Sequence, residues 1–240
     1  MEVQSEEDSI WRRDHIKYWD GYFKSENGIN YIIKDGLEIP VNTFIGCDPA
    51  TDIDTKHSDF SVIMVVAVDS NNNELYVLEY QRHRSIPTIG SKNPESNEII
   101  GKKGVVDIIL ELHQKYNCTS STVEDVAMNR SIFQAMNDER RRLNKFSISV
   151  IPEKPGGQQK RNRIYSGLSA RFSTGTVHLR KNMFDLINEI LTFGPKMSHD
   201  DTIESLYYAQ IHAFPPNMKK NKKTKGWFKP KRKAKGWLVS

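Results

Sequence analysis

Thr43-Phe44-Ile45-Gly46-Cys47-Asp48-Pro49-Ala50 is the stretch on which the reading of this chain turns. A short apolar run ends in a carboxylate, and Pro49, which has no amide hydrogen for a sheet ladder, stops the strand. Shortly after it, Asp59-Phe60-Ser61-Val62-Ile63-Met64-Val65-Val66-Ala67-Val68 is a long β-branched run that reads as the neighbouring strand. Asp48 therefore stands at the end of a buried central strand, where an unpaired charge is costly. A divalent metal ion is the expected reason for its presence.

Working outward, the polar turn 69–73 leads into a third strand, 74–80, so three consecutive strands form an antiparallel meander. After a loop over 85–101, Val105, Ile108, Ile109 and Leu112 recur at helical spacing and predict a helix over 105–116. A strand over 119–123 ends at Glu124, a helix follows over 130–143, and another strand over 146–151. That alternation predicts two strands parallel to the first. Beyond them come a basic helix (158–172), a short edge strand (176–179) and an apolar-periodic helix (183–191). Ser198-His199-Asp200-Asp201 opens a last helix carrying Ile203, Leu206, Tyr207 and Ala209, and Pro215-Pro216 closes the unit. Before the meander, residues 9–23 read as an amphipathic helix with Trp11, Ile16 and Trp19 on one face, followed by a hairpin over 22–40 punctuated by Gly28 and Gly36. The expected division is an N-terminal helix and hairpin (1–40), an α/β domain (41–216) and a tail (217–240).

The net charge of +5 is unevenly placed. Residues 217–240 hold ten Lys or Arg and no acid, so the residues before them carry a net −5. Such asymmetry predicts a nucleic-acid or acidic-partner contact through the tail, where Trp227, Phe228 and Trp237 interleave the cations and argue against mere solubilisation. No run is long enough to cross a bilayer, and the acidic first residues lack the character of a secretory signal. Cys47 and Cys118 lie in unrelated contexts and read as buried reduced thiols, as in a cytosolic protein.

Three acidic features end or begin apolar elements: Asp48, Glu124 and Asp200-Asp201. If the strands ending at Asp48 and Glu124 are parallel neighbours, both carboxylates emerge at the carboxyl ends of the sheet, where open α/β sheets place ligands. A helix start packed there adds Asp201. Hard oxygen ligands of this kind suit Mg²⁺ or Mn²⁺, and a pair of such ions about 3.5–4 Å apart supports phosphodiester hydrolysis. Each acid also has a plainer role. Asp48 suits a turn before Pro49, Glu124-Asp125 suit a strand end, and Asp201-x-x-Glu204 fits a capping box. Lys154, Lys160, Arg161 and Arg163 crowd a helix start after Gly156-Gly157, a place suited to phosphate or to a solvated basic face. Arg140-Arg141-Arg142 reads as surface.

The chain resembles RNase H-like nucleases, and more closely the C-terminal nuclease domain of large terminase subunits, the DNA-packaging motors of tailed bacteriophages. The matching residues are Gly46-Cys47-Asp48-Pro49-Ala50 with Asp59-Phe60-Ser61, Val123-Glu124-Asp125-Val126-Ala127, Lys160-Arg161-Asn162-Arg163-Ile164, and His199-Asp200-Asp201-Thr202-Ile203-Glu204-Ser205-Leu206. The resemblance implies an α/β RNase H-like fold: a central mixed sheet, with a three-strand meander plus parallel strands, flanked by helices. It implies Asp48, Glu124 and Asp201 as catalytic metal ligands with Asp200 beside them, Glu204 and Asp59 as auxiliary acids, and two Mg²⁺ or Mn²⁺ ions. It places Lys154, Lys160, Arg161 and Arg163 on DNA. The implied activity is low-specificity cleavage of double-stranded DNA during genome packaging in the cytoplasm of an infected host cell. The implied partners are the portal or prohead and the small terminase subunit. No G-x-x-x-x-G-K-[S/T] loop is present, so the family's ATPase domain is expected to be missing from this chain, with residues 1–40 leading from it. The rival readings are a junction resolvase or transposase-like nuclease of the same fold, and a non-catalytic DNA- or portal-binding module.

Overall fold

The computed structural model describes residues 9–50, 60–126, 130–194 and 199–217. One mixed sheet runs through them. β4 (Leu37–Asp48) pairs antiparallel with β5 (Ser61–Asp69), and β5 pairs antiparallel with β6 (Leu75–His83), which gives the expected meander. The other edge of β4 is shared between two partners. Its first half pairs antiparallel with β3 (Ile29–Lys34), itself paired with β2 (Tyr22–Glu26), while its second half pairs parallel with β7 (Ser120–Glu124). β8 (Val150–Glu153) adds parallel to β7. On the far side, β9 (Val177–Leu179) and β1 (Lys17–Tyr18) continue the sheet beyond β6.

β5 shows why this sheet is covered on both faces, since all nine of its residues are buried. Met64, Val66 and Val68 point into one layer with α3 (Lys160–Ser173), α4 (Phe184–Leu191) and α5 (Asp201–Ile211). Ile63 and Val65 point into the opposite layer with α1 (Val105–Lys115) and α2 (Arg130–Arg142). The continuous apolar run, expected as the strand beside β4, is a strand buried on both faces. Cys47 and Cys118 are buried free thiols, and burial pushes both thiols up.

Four expectations change. Residues 9–23 form no amphipathic helix; a single 3-10 turn at Arg13–His15 leads into β1 and β2. Trp11 packs against Phe172 and Phe193, with ring centroids 4.6 and 4.5 Å away, in the layer of α3 and α4. Trp19 lies edge-on to Tyr76 at 5.3 Å, in a cluster with Ala67, on the opposite face of the sheet. One helical face cannot serve both layers, so an extended segment wraps the sheet edge instead. The strand expected over 146–151 begins only at Val150, and Phe146 is exposed. β9 is not an edge strand, because β1 covers it. β4 also runs unbroken through the boundary expected between residues 40 and 41.

No helix among the described residues is long and apolar enough to cross a membrane.

Candidate metal centre and its flanking cations

Parallel pairing of β4 with β7 sets Cys47 opposite Val123, so the next residue of each strand, Asp48 and Glu124, leaves the sheet side by side. α5 supplies the third acid because it lies directly on the β4 backbone. A Cβ on Gly46 would come within 2.2 Å of both the Ala209 amide nitrogen and the Ser205 carbonyl oxygen. Ser205 completes the seat, its hydroxyl donating to the carbonyls of Gly46 at 2.9 Å and Val62 at 3.1 Å. This close approach carries Glu204 to the strand ends, and ligand oxygens of Asp48, Glu124 and Glu204 all lie within 4.8 Å of one another. Asp48 and Glu204 are 7% and 1% exposed, so water does little to screen their repulsion.

The plainer roles of these acids are not the ones taken up. Asp200 is the N-cap residue of α5, yet its side chain makes no capping bond. One free amide of the first turn is met from α4, where Glu189 accepts from the Ile203 amide and from the Thr202 hydroxyl, each at 2.8 Å. Burial lifts the Glu189 carboxyl to about 7, against the pull of those two donors. The side chains of Asp200 and Glu204 are thereby left to face Lys160, which stands 2.7 Å from Asp200 Oδ1 and contacts Glu204 Oε2. Asp201, expected as the third ligand, is buried, and its Oδ2 accepts from the Phe60 amide at 3.3 Å. The Ala50 amide turns to Ser61 Oγ at 3.0 Å, so the turn at Pro49 does not draw on Asp48 for that donor.

Two cations brace the acids from α3. Arg163 is buried; it contacts Glu204 Oε1, lies 3.8 Å from Glu124, and donates to the Pro155 carbonyl at 2.8 Å. Tyr208, one turn beyond Glu204, donates to Glu124 at 2.9 Å and receives Arg163 at 3.1 Å. Burial and the neighbouring Glu124 push its phenol well up, so it remains a donor. Lys160 also approaches Asp48 Oδ2 to 4.0 Å. Cations at a helix start oppose the helix dipole, and here the carboxylates offset that cost. Burial, the largest cause, pushes Asp48 well above the usual carboxylate range; Lys160 pulls it down, while Glu124, Asp201 and Asp200 push it further up. Burial works to lower the Lys160 ammonium, but Asp48, Asp200 and Asp201 outweigh it and hold it above the usual lysine value.

The donor set is all carboxylate oxygen, gathered in a half-desolvated notch where like charges crowd. That chemistry fits Mg²⁺ or Mn²⁺. Of the residues expected at the site, Asp48, Glu124, Asp200, Asp201, Glu204 and Lys160 come together at one end of the sheet. Arg163 is turned inward, whereas Lys154 and Arg161 are exposed. Asp59 lies outside the described residues, as does the tail from residue 218. Sequence reasoning missed Tyr208 and Glu189. Tyr208 had a signal, being four residues after Glu204 on the same helix face; Glu189 had none.

No protein-family model and no curated protein matches this chain. Among solved structures it is similar to the large terminase nuclease of thermophilic phage G20c, crystallised with zinc, at a TM-score of 0.49 and 15% identity, over 84% of this chain and 96% of that one. It is similar to the P22 large terminase nuclease domain at 0.47 and 10%, over 82% and 87%. The fowlpox virus Holliday junction resolvase follows at 0.37 and 14%, over 69% and 94%. The order of elements described above decides the class: a meander, then two parallel strands reached by helical crossovers, with a helix laid on the first strand. The fold is RNase H-like. In this RNase H-like domain the acids occupy the carboxyl ends of β4 and β7 and the first turn of α5.

Proposed function

We propose that the chain is a metal-dependent endonuclease that hydrolyses phosphodiester bonds of double-stranded DNA with low sequence specificity, in the manner of a terminase cutting concatemeric DNA during viral genome packaging. The observation that carries this reading is the convergence of Asp48, Glu124 and Glu204 within 4.8 Å, on three separate elements. Asp48 and Glu124 hold the cation from the strand ends, and Glu204 holds it from α5, aimed by Arg163 and Tyr208. A bound divalent ion supplies an activated water at neutral pH and offsets charge on the reacting phosphate. Lys160 and Arg161 stand at the first turn of α3 and draw the DNA backbone toward the acids. Phosphate contacts carry no base information, which supports low sequence specificity. The packaging role is supported by the four terminase-like motifs, which contribute Asp48, Glu124, Lys160 and Glu204 to this notch.

Nicking of supercoiled plasmid tests the reading. Wild-type protein with Mn²⁺ is expected to nick and then linearise the plasmid, and EDTA to stop it. Glu124→Gln, which keeps the acceptor for Tyr208 but removes the charge, is expected to slow cleavage at least about 10²-fold, roughly 3 kcal/mol of barrier. Inert wild-type protein, or an equally active Glu124→Gln, overturns the assignment. Strict dependence on branched DNA points to the resolvase reading instead.

A further inference from the structure

We infer that Lys160 holds the second cation position of the site, so that the protein binds one divalent ion per chain where the resemblance implies two. This rests on the metal-dependent reading above and deepens it. The acids divide into two groups that share Asp48 and Glu204. Asp48, Glu124 and Glu204 form the cluster whose oxygens lie within 4.8 Å of one another. Asp48, Asp200 and Glu204 instead surround the Lys160 ammonium, at 4.0 Å, 2.7 Å and in direct contact respectively. Asp48 thus lies between a metal-ready group and an ammonium, as a bridging carboxylate lies between two ions. The two oxygens of Glu204 divide in the same way, one toward Lys160 and the other toward Arg163 and Tyr208.

The ammonium is built into this place. Lys160 is the first residue of α3, whose register is fixed by Ile164, Leu168 and Phe172 in the core and by Arg163 bonded to Pro155. Its side chain is 42% exposed, so one side of the ammonium faces outward while the other meets the acids. A phosphate oxygen arriving at the notch would meet the divalent ion on the Glu124 side and Lys160 on the Asp200 side. Lys160 then contributes a point charge with three donors to the reacting phosphate, whereas a second metal would have needed Asp200 and Glu204 as ligands.

The count of bound Mn²⁺, followed by calorimetry and by the loss of free-ion electron paramagnetic resonance signal without DNA, tests this directly. Wild-type protein is expected to bind one ion at the site. Lys160→Met, which keeps the stem and removes the charge, is expected to bind two; Lys160→Arg, which keeps a cation, is expected to stay at one. Two ions on the wild-type protein overturn the inference and leave the nuclease reading standing, as does a Lys160→Met protein that still binds one. One ion on wild-type protein that never cuts DNA, with two on Lys160→Met, sinks the nuclease reading and upholds the assignment of Lys160. No binding by any of the three overturns both.

Discussion

Asp48→Asn should lose at least about 10³-fold in Mn²⁺-dependent DNA cleavage, about 4 kcal/mol of barrier, and yet melt at a higher temperature than the wild type in EDTA. Both effects come from one carboxylate. Asp48 is 7% exposed and faces Glu124, Asp200 and Asp201 with Lys160 as its nearby counter-charge. Its pKa is raised in the folded protein, mainly by burial. The unfolded chain therefore gives up this proton at lower pH than the folded one, and stability falls as pH rises past the ordinary carboxylate value of about 4. Asparagine removes that loss at neutral pH. Adding Mn²⁺ reverses the order, because binding to the folded state alone stabilises the wild type by mass action. Melting curves at pH 7 in EDTA and in Mn²⁺ read both signs. A less stable Asp48→Asn protein in EDTA would show that Asp48 is paired structurally and carries no surplus charge.

Gly46→Val should cost at least about 3 kcal/mol of stability, a melting temperature lower by about 10 °C, and should abolish cleavage. The side chain would have to enter space filled by the α5 backbone at Ser205 and Ala209, both at 2.2 Å from an added Cβ. Backbone cannot rotate aside, so α5 must lift off β4, and Glu204 leaves Asp48 with it. Gly157→Ala is the control, since nothing lies within 4 Å of its added Cβ; its melting temperature should not move. A Gly46→Val protein as stable as the wild type would mean that α5 does not rest on β4 in this way.

The central strands were legible because their signal is physical and local. The run from Val62 to Val68 is apolar at every position, which only a strand covered on both faces tolerates, and the helix periodicity of Val105, Ile108, Ile109 and Leu112 is matched by their burial. Asp48 and Glu124 were legible for a related reason: charge at the end of an apolar run demands a partner. The N-terminal segment was misread because Trp11 and Trp19 do have helical spacing, and only the sheet tells that they serve opposite faces. Glu204 is an auxiliary acid in the sequence reading, where Asp200-Asp201 suit a helix start, whereas the cap comes from Glu189 on another helix. Long-range substitution of that kind leaves no trace in local spacing. The buried position of Arg163 was hidden likewise, since a basic helix start reads as a surface until the acids opposite it are placed.

The anomalous scattering of manganese in crystals soaked with Mn²⁺ tests the central claim most directly. The account predicts a peak within bonding distance of carboxylate oxygens from Asp48, Glu124 and Glu204, between the ends of β4 and β7 and the first turn of α5. A well-diffracting soaked crystal with no peak there, or with manganese bound only at other acids, would contradict it.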